Sequence, residues 1–207
     1  MMQLIGMLDS PYVRRTAIAL ELLGLPFESK PLSVFRQMEE FRRHNPVVKA
    51  PTLVLDDGQA LMDSTLILMH AEQLAGPGRS LWPTDAADRV RALRLTGLAL
   101  AACEKAVQAV YERELRPAER QHAPWSERVT GQMRTAWQLL EAEMRRAPVP
   151  GGARAGAIGH AGIAIAVSWH FTQQLLPGVL APADFPMQAA FSAEAEALSA
   201  FVRWPHA

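Results

Sequence analysis

One cysteine, Cys103, stands in 207 residues, so the chain can form neither an internal disulfide nor a CxxC redox or zinc-ribbon pair. A reducing, cytoplasmic setting is the expectation. No charge of one sign dominates: 21 Lys plus Arg face 21 Asp plus Glu, and a formal net charge of zero argues against the basic surface of a nucleic-acid binder. No uninterrupted apolar run is long enough to cross a bilayer, and the opening residues lack the charged and apolar regions of a secretory signal, so no membrane partner is expected. The six histidines show no HExxH or paired spacing, which predicts no metal site. No internal repeat is found, and the one biased stretch, residues 148–159, is rich in Gly and Ala and predicts a loop. Against these absences stands a hydrophobic content of 49%, enough for a sizeable core in one large domain or two small ones.

The first eighty residues read as a small mixed α/β domain. Residues 3–7 form a short strand. Ser10-Pro11 then opens a helix, because serine caps free amides and proline suits the first helical position. Val13, Ala17, Leu20 and Leu23 give that helix an apolar face, Gly24 ends it, and residues 26–32 supply a second strand. After a short polar helix over 37–43, the β-rich run 52–55, the turn Asp57-Gly58 and the run 60–62 make a hairpin. Asp63-Ser64 caps a further helix that stops near Gly76. Beyond a loop-rich joint the chain needs no more strands: helices are predicted over 86–116, 125–146, 160–176 and 187–202, broken by proline and glycine. The expected organisation is a domain over 1–78, a linker over 79–85 and an all-α helical bundle over 86–207.

Three short segments carry chemistry. Ser10 sits at a strand-to-helix turn, where it reads by itself as a helix cap. Its hydroxyl can also donate a hydrogen bond to a thiolate, with the helix amides and dipole adding positive potential. A thiol of ordinary pKa is mostly protonated at neutral pH, and lowering it by two units takes about 2.7 kcal/mol. Asn45-Pro46-Val47-Val48-Lys49-Ala50-Pro51 precedes a strand, whose first residue tolerates a missing amide donor. Asp63-Ser64 stands at a helix start, where free amides make an anion site.

In order and spacing these segments, beginning with Ser10-Pro11-Tyr12-Val13-Arg14, resemble the three landmarks of glutathione transferases, closest to bacterial and plant serine-type classes. The helical second half extends the resemblance over nearly the whole chain. It implies a thioredoxin-like N-terminal domain followed by a helical one, and Ser10 as the group that stabilises the glutathione thiolate. It further implies a cis Ala50-Pro51 bond whose Ala50 backbone pairs with the cysteinyl backbone of glutathione, as in strand addition. Lys49 would reach the glycyl carboxylate, Ser64 the γ-glutamyl carboxylate and Asp63 the ammonium group. Many relatives carry glutamate at the position of Asp63. Tyr12, Tyr111 and Trp169 are the implied lining of a second-substrate pocket for a small hydrophobic electrophile.

The implied activity is conjugation of glutathione, used as a co-substrate without metal, with a glutathione peroxidase side activity. A homodimer is implied too. The competing reading is a non-catalytic ligand-binding or protein-interaction module on the same fold, which fold alone does not exclude. One departure concerns the helix starting near residue 160, where many relatives have a Ser/Thr-x-x-Asp capping box and this chain has Gly159 and Gly162. On sequence grounds, restoring Thr and Asp there should raise the melting temperature.

Overall fold

The computed structural model describes residues 1–153 and 158–207, so residues 154–157 of the Gly/Ala-rich stretch lie outside the described residues. In chain order the elements are β1 (Met2–Ile5), α1 (Pro11–Leu22), β2 (Phe27–Lys30), α2 (Met38–His44), β3 (Thr52–Val54), β4 (Ala60–Met62), α3 (Ser64–Ala75), α4 (Ala86–Glu114), α5 (Ala123–Arg146), α6 (His160–Leu175), α7 (Pro186–Glu196) and α8 (Ser199–Arg203). They form two compact units: Met1–Leu81 with Leu198–Ala207, and Trp82–Ala197.

The first unit is built on a four-stranded mixed sheet of order β2-β1-β3-β4. β1 runs parallel to β2 and antiparallel to β3, and β3 antiparallel to β4, so α1 is the crossover of a βαβ unit and β3–β4 the hairpin. This is the thioredoxin-like arrangement expected from the sequence. Leu4, Ile5 and Leu53 of the central strands, Val13, Ala17, Ile18 and Leu20 of α1 and Ile67 of α3 are all fully buried, and Ile5 clusters with Leu32 and with Phe41 of α2. Each such Val, Leu or Ile side chain contributes about 1.5–3 kcal/mol of transfer free energy. α1 starts at Ser10, whose Oγ accepts the Val13 N–H at 3.4 Å, with Pro11 in its first turn. It stops where Gly24 takes φ +69°, and a Cβ there would lie 2.7 Å from Arg79 Nη1.

The last ten residues belong to this first unit, which differs from the 86–207 domain read from the sequence. The helix expected over 187–202 is accordingly two helices, α7 and α8, separated at Ala197 and Leu198. The break carries no Gly or Pro. Its cause is tertiary: buried Arg14 on α1 holds the carbonyls of Phe201 and Trp204, and Trp204 stacks on Phe27 with ring centroids 5.0 Å apart.

The second unit is all helix. α6 is buried on every side, as its apolar composition demands, and packs between α4 and α7. Two capping devices reach across elements. Arg91 of α4 donates to the carbonyls of Glu143 (3.1 Å), Ala147 (2.6 Å) and Pro148, satisfying the carbonyl end of α5. Glu141 of α5 accepts the N–H of Met187 at 3.2 Å and of Gln188 at 3.4 Å, capping α7 from outside.

α6 itself begins at Gly159 with no side-chain cap. A Cβ on Gly162, however, would lie 2.7 Å from Ile158 Cγ1 and 3.1 Å from Phe191 Cζ. At the second of these two positions that close approach works against the gain expected from Asp, because a side chain there must displace Ile158 or Phe191.

Candidate functional site

Register brings the three predicted segments to one edge of the sheet. Ile5, at the end of β1, pairs with Thr52, at the start of β3, and Thr52 pairs with Met62, at the end of β4. Ser10 therefore follows β1, the Ala50-Pro51 peptide precedes β3, and Asp63-Ser64 follows β4, all beyond the same row of residues. Gly6 shows how closely the first two approach. It has φ +141°, and a Cβ on it would lie 2.6 Å from Val13 Cγ2 and 3.1 Å from Ala50 Cβ.

The segment before β3 is braced from within. Asn45, buried, donates from Nδ2 to Thr52 Oγ1 at 2.9 Å and accepts the Val47 N–H at 3.0 Å, and Thr52 Oγ1 donates to the Lys49 carbonyl at 2.7 Å. These bonds hold Val48 at φ +55°, a region that a β-branched residue avoids, and strain of this kind persists only where its surroundings over-determine it. The Ala50-Pro51 bond is cis, as the family resemblance implies. Pro51 is buried, Ala50 half-buried and Lys49 exposed.

At the start of α3, Asp63 takes φ +67° and its Oδ1 accepts the Thr65 N–H at 2.9 Å, leaving the rest of an exposed carboxylate toward solvent. Ser64 is buried, and its Oγ accepts from Arg15 Nη1 at 3.1 Å. Arg15 also reaches Thr65 Oγ1 at 3.4 Å. This guanidinium comes from α1, is 3% exposed, and was not singled out by the sequence reading. A buried arginine places a fixed positive charge beneath the α3 amides, and adds to the dipole at that terminus. The only sequence cue is a charged pair, Arg14-Arg15, inside a mostly apolar helix.

The three residues assigned to a second-substrate pocket part company. Tyr12 is half-buried in the first turn of α1, one residue beyond Pro11. Tyr111 is 46% exposed and lines a groove at the end of α4. Trp169 does not stand on an open wall: it is 3% exposed, edge-on to Trp137 at 5.1 Å and against Phe185 at 5.6 Å, within the helical core. Its assignment to a pocket is corrected on that packing. Cys103 is buried as a small apolar filler. Among the described residues no group of His, Cys, Asp and Glu has the arrangement of a metal site, and no helix is long and apolar enough to cross a membrane.

Comparison with known proteins agrees with this geometry. Residues 4–79 match the glutathione S-transferase N-terminal domain. Glutathione transferase GST 23 of Zea mays is 28% identical over 53% of this chain and 49% of its own length. The GST-like protein YibF of Escherichia coli (strain K12) is 29% identical over 58% of each chain, so the match spans about half the length of these curated relatives. A glutathione S-transferase of Methylobacterium radiotolerans, crystallised with glutathione sulfonate, superposes with a TM-score of 0.87 at 26% identity, covering 100% of this chain and 95% of that one. Residues 4–79 thus carry a glutathione S-transferase N-terminal domain, and the chain as a whole is similar to glutathione S-transferases.

Proposed function

We propose that the chain is a glutathione transferase: it binds glutathione along the sheet edge and joins the peptide's sulfur to small hydrophobic electrophiles. The observation that carries this reading is the row Ile5–Thr52–Met62, from which Ser10, the cis Ala50-Pro51 peptide and Asp63-Ser64 all depart in one direction. In this reading the Ala50 backbone pairs with the cysteinyl backbone as a short added strand. Lys49 faces the glycyl carboxylate. Ser64 keeps its own hydrogen for the γ-glutamyl carboxylate, because its oxygen already accepts from Arg15. The solvent side of the Asp63 carboxylate takes the ammonium group.

Catalysis then follows from where Ser10 stands. Its Oγ accepts the Val13 N–H, so its own hydrogen is available to a sulfur placed at the turn, and the start of α1 adds positive potential. The sulfur, held as thiolate, attacks an electrophilic carbon and either displaces its leaving group or adds to an activated double bond whose carbanion takes a proton from water; the gain comes from proximity and from stabilising the anion. With an organic hydroperoxide in the acceptor's place the thiolate takes the distal oxygen and releases the alcohol, and a second glutathione converts the resulting sulfenic acid to glutathione disulfide and water, which is the peroxidase side activity. Of the second-substrate candidates Tyr111 lines an open groove, and Tyr12 stands next to the Ser10 turn.

A cytoplasmic homodimer completes the proposal. Leu66 and Met69 on α3 are 57% and 64% exposed, and Val90 and Leu93 on α4 are 67% and 51% exposed, apolar side chains that a second copy of the chain would cover in this reading. Sedimentation tests the dimer. Steady-state conjugation of chromogenic electrophiles tests the activity: Ser10→Ala should lower kcat/KM by about 100-fold or more, as loss of one anion-stabilising donor does. A wild-type chain that binds glutathione yet conjugates none of a broad panel would instead support the binding-module reading.

A further inference from the structure

The bonds that brace the segment before β3 have a further partner. Asn45 Nδ2, which donates to Thr52 Oγ1 at 2.9 Å, also donates to Met62 Sδ at 3.3 Å. Its two hydrogens thus face an oxygen and a thioether, and a thioether is the weaker acceptor. Thr52 Oγ1 passes the connection on to the Lys49 carbonyl at 2.7 Å, and Asn45 Oδ1 to the Val47 N–H at 3.0 Å. A continuous chain of hydrogen bonds therefore runs from a methionine sulfur at the end of β4 to the backbone on both sides of Val48, the residue held at φ +55°.

Exposure along this chain is uneven. Asn45 and Thr52 are 4% and 0% exposed, whereas Met62 is 38% exposed. A thioether open to solvent is a target for two-electron oxidants, and its product, a chiral sulfoxide, is polar. Neither sulfoxide epimer fits the present arrangement. Nδ2 and Sδ already stand 3.3 Å apart, so an oxygen added toward Asn45 has no room between them. An oxygen added on the far side leaves a positively polarised sulfur facing an N–H. In both cases Asn45 has to move, and the bonds it makes to Thr52 and Val47 move with it.

We infer that Met62 is a redox-sensitive modification site: oxidation of its thioether to the sulfoxide displaces Asn45, loosens residues 45–50 and lowers the affinity of the sheet edge for glutathione. The oxidant is an organic hydroperoxide, the class that the peroxidase side activity consumes. The thioether sulfur attacks the distal oxygen, the O–O bond breaks, and the departing oxygen leaves as the alcohol with the hydroperoxide's proton. The sulfur is oxidised by two electrons and the hydroperoxide reduced by two. Methionine sulfoxide reductases return the thioether, so the change is reversible. Its last link, to glutathione, rests on the proposed function; the loosening of the brace does not.

The test treats wild type, Met62→Leu and Met69→Leu with tert-butyl hydroperoxide and reads oxidation at each methionine by peptide mass spectrometry. Met69, 64% exposed on α3, controls for oxidation elsewhere. Two properties are followed before and after: hydrogen exchange of the Val47 and Val48 amides, which bond to Asn45 at 3.0 and 2.9 Å, and glutathione affinity by calorimetry. In oxidised wild type and oxidised Met69→Leu the exchange should rise about tenfold and the affinity fall about tenfold, and sulfoxide reductases should reverse both. Oxidised Met62→Leu should match its own untreated form. Met62 left intact while Met69 is converted, an oxidised Met62 with unchanged exchange or unchanged glutathione affinity, or a response that persists in Met62→Leu would overturn the inference. Raised exchange in a chain that binds no glutathione even before oxidation would uphold the modification site and overturn the proposed function instead.

Discussion

Arg14 Nε donates to the carbonyl of Trp204 at 2.8 Å, tying the first helix to the end of the chain across 190 residues of sequence. The guanidinium is 1% exposed, also reaches the Phe201 carbonyl at 3.5 Å, and lies 5.5 Å from the Phe201 ring centroid. Around it, Glu21 accepts Trp204 Nε1 at 2.6 Å and pairs with Arg203 at 2.9 Å. Arg14→Met leaves buried carbonyls without their donor and should cost about 2–4 kcal/mol in denaturant unfolding. In a chain ending at Arg203 the same substitution should cost clearly less. An equal cost in both backgrounds would show that Arg14 stabilises through something other than the C-terminal strap.

Arg15 is the adjacent residue with a different task. Because it donates to Ser64 Oγ and Thr65 Oγ1, Arg15→Met should free the Ser64 hydroxyl to rotate and remove positive charge from the α3 amides. Glutathione affinity should fall by about 10-fold or more, the size expected for loss of a charge-assisted bond. Glutathione ethyl ester modified at the glycyl end should suffer the same relative loss, because the change acts at the γ-glutamyl end. Calorimetry on both ligands checks this.

Gly162 separates capping from packing. Gly162→Ala places a methyl 2.7 Å from Ile158 Cγ1 and 3.1 Å from Phe191 Cζ, and should lower stability by about 1–3 kcal/mol. Gly162→Asp should do no better despite supplying the acidic half of the capping box. A raised melting temperature for Gly162→Asp would mean that the amides of α6 matter more than its contact with Ile158 and Phe191.

Glu112 makes stability depend on pH. Its carboxyl is held below the ordinary value of 4.5, chiefly by the His122 N–H and then by Arg116. A folded-state pKa below the unfolded one gives stability that is present above the unfolded value and lost as pH falls through the folded one. Wild type should therefore exceed Glu112→Gln in unfolding free energy near neutral pH, and the gap should narrow as pH falls below the ordinary carboxyl value of 4.5. A gap that is constant across that range would assign the effect to packing.

The sheet and the landmarks at its edge are legible because their signals are local. Ser10-Pro11 announces a helix start, Asp57-Gly58 a hairpin, and Ala60 to Met62 is the returning strand. Arg14 and Arg15 are illegible for the opposite reason: their partners stand 190 and 49 residues away, and a helical Arg-Arg pair ordinarily faces water. The break between α7 and α8 is hidden in the same way, since the packing of Phe201 and Trp204 causes it and no breaker residue marks it. Tyr111 and Trp169 look alike as aromatics on long helices. What distinguishes them is that Trp169 lies on a helix apolar on all sides, which is the signature of a core element.

The central claim is that Ser10 holds the sulfur of glutathione as a thiolate. Titrating glutathione into wild type and Ser10→Ala between about pH 5 and pH 9, while following thiolate absorbance in the ultraviolet, tests it directly. The account predicts saturable binding with thiolate formed below its solution pKa in wild type, and loss of that shift in Ser10→Ala with binding largely kept. Wild type that binds glutathione with an unshifted thiol, or a shift that survives Ser10→Ala, would contradict it and return Ser10 to the role of a helix cap.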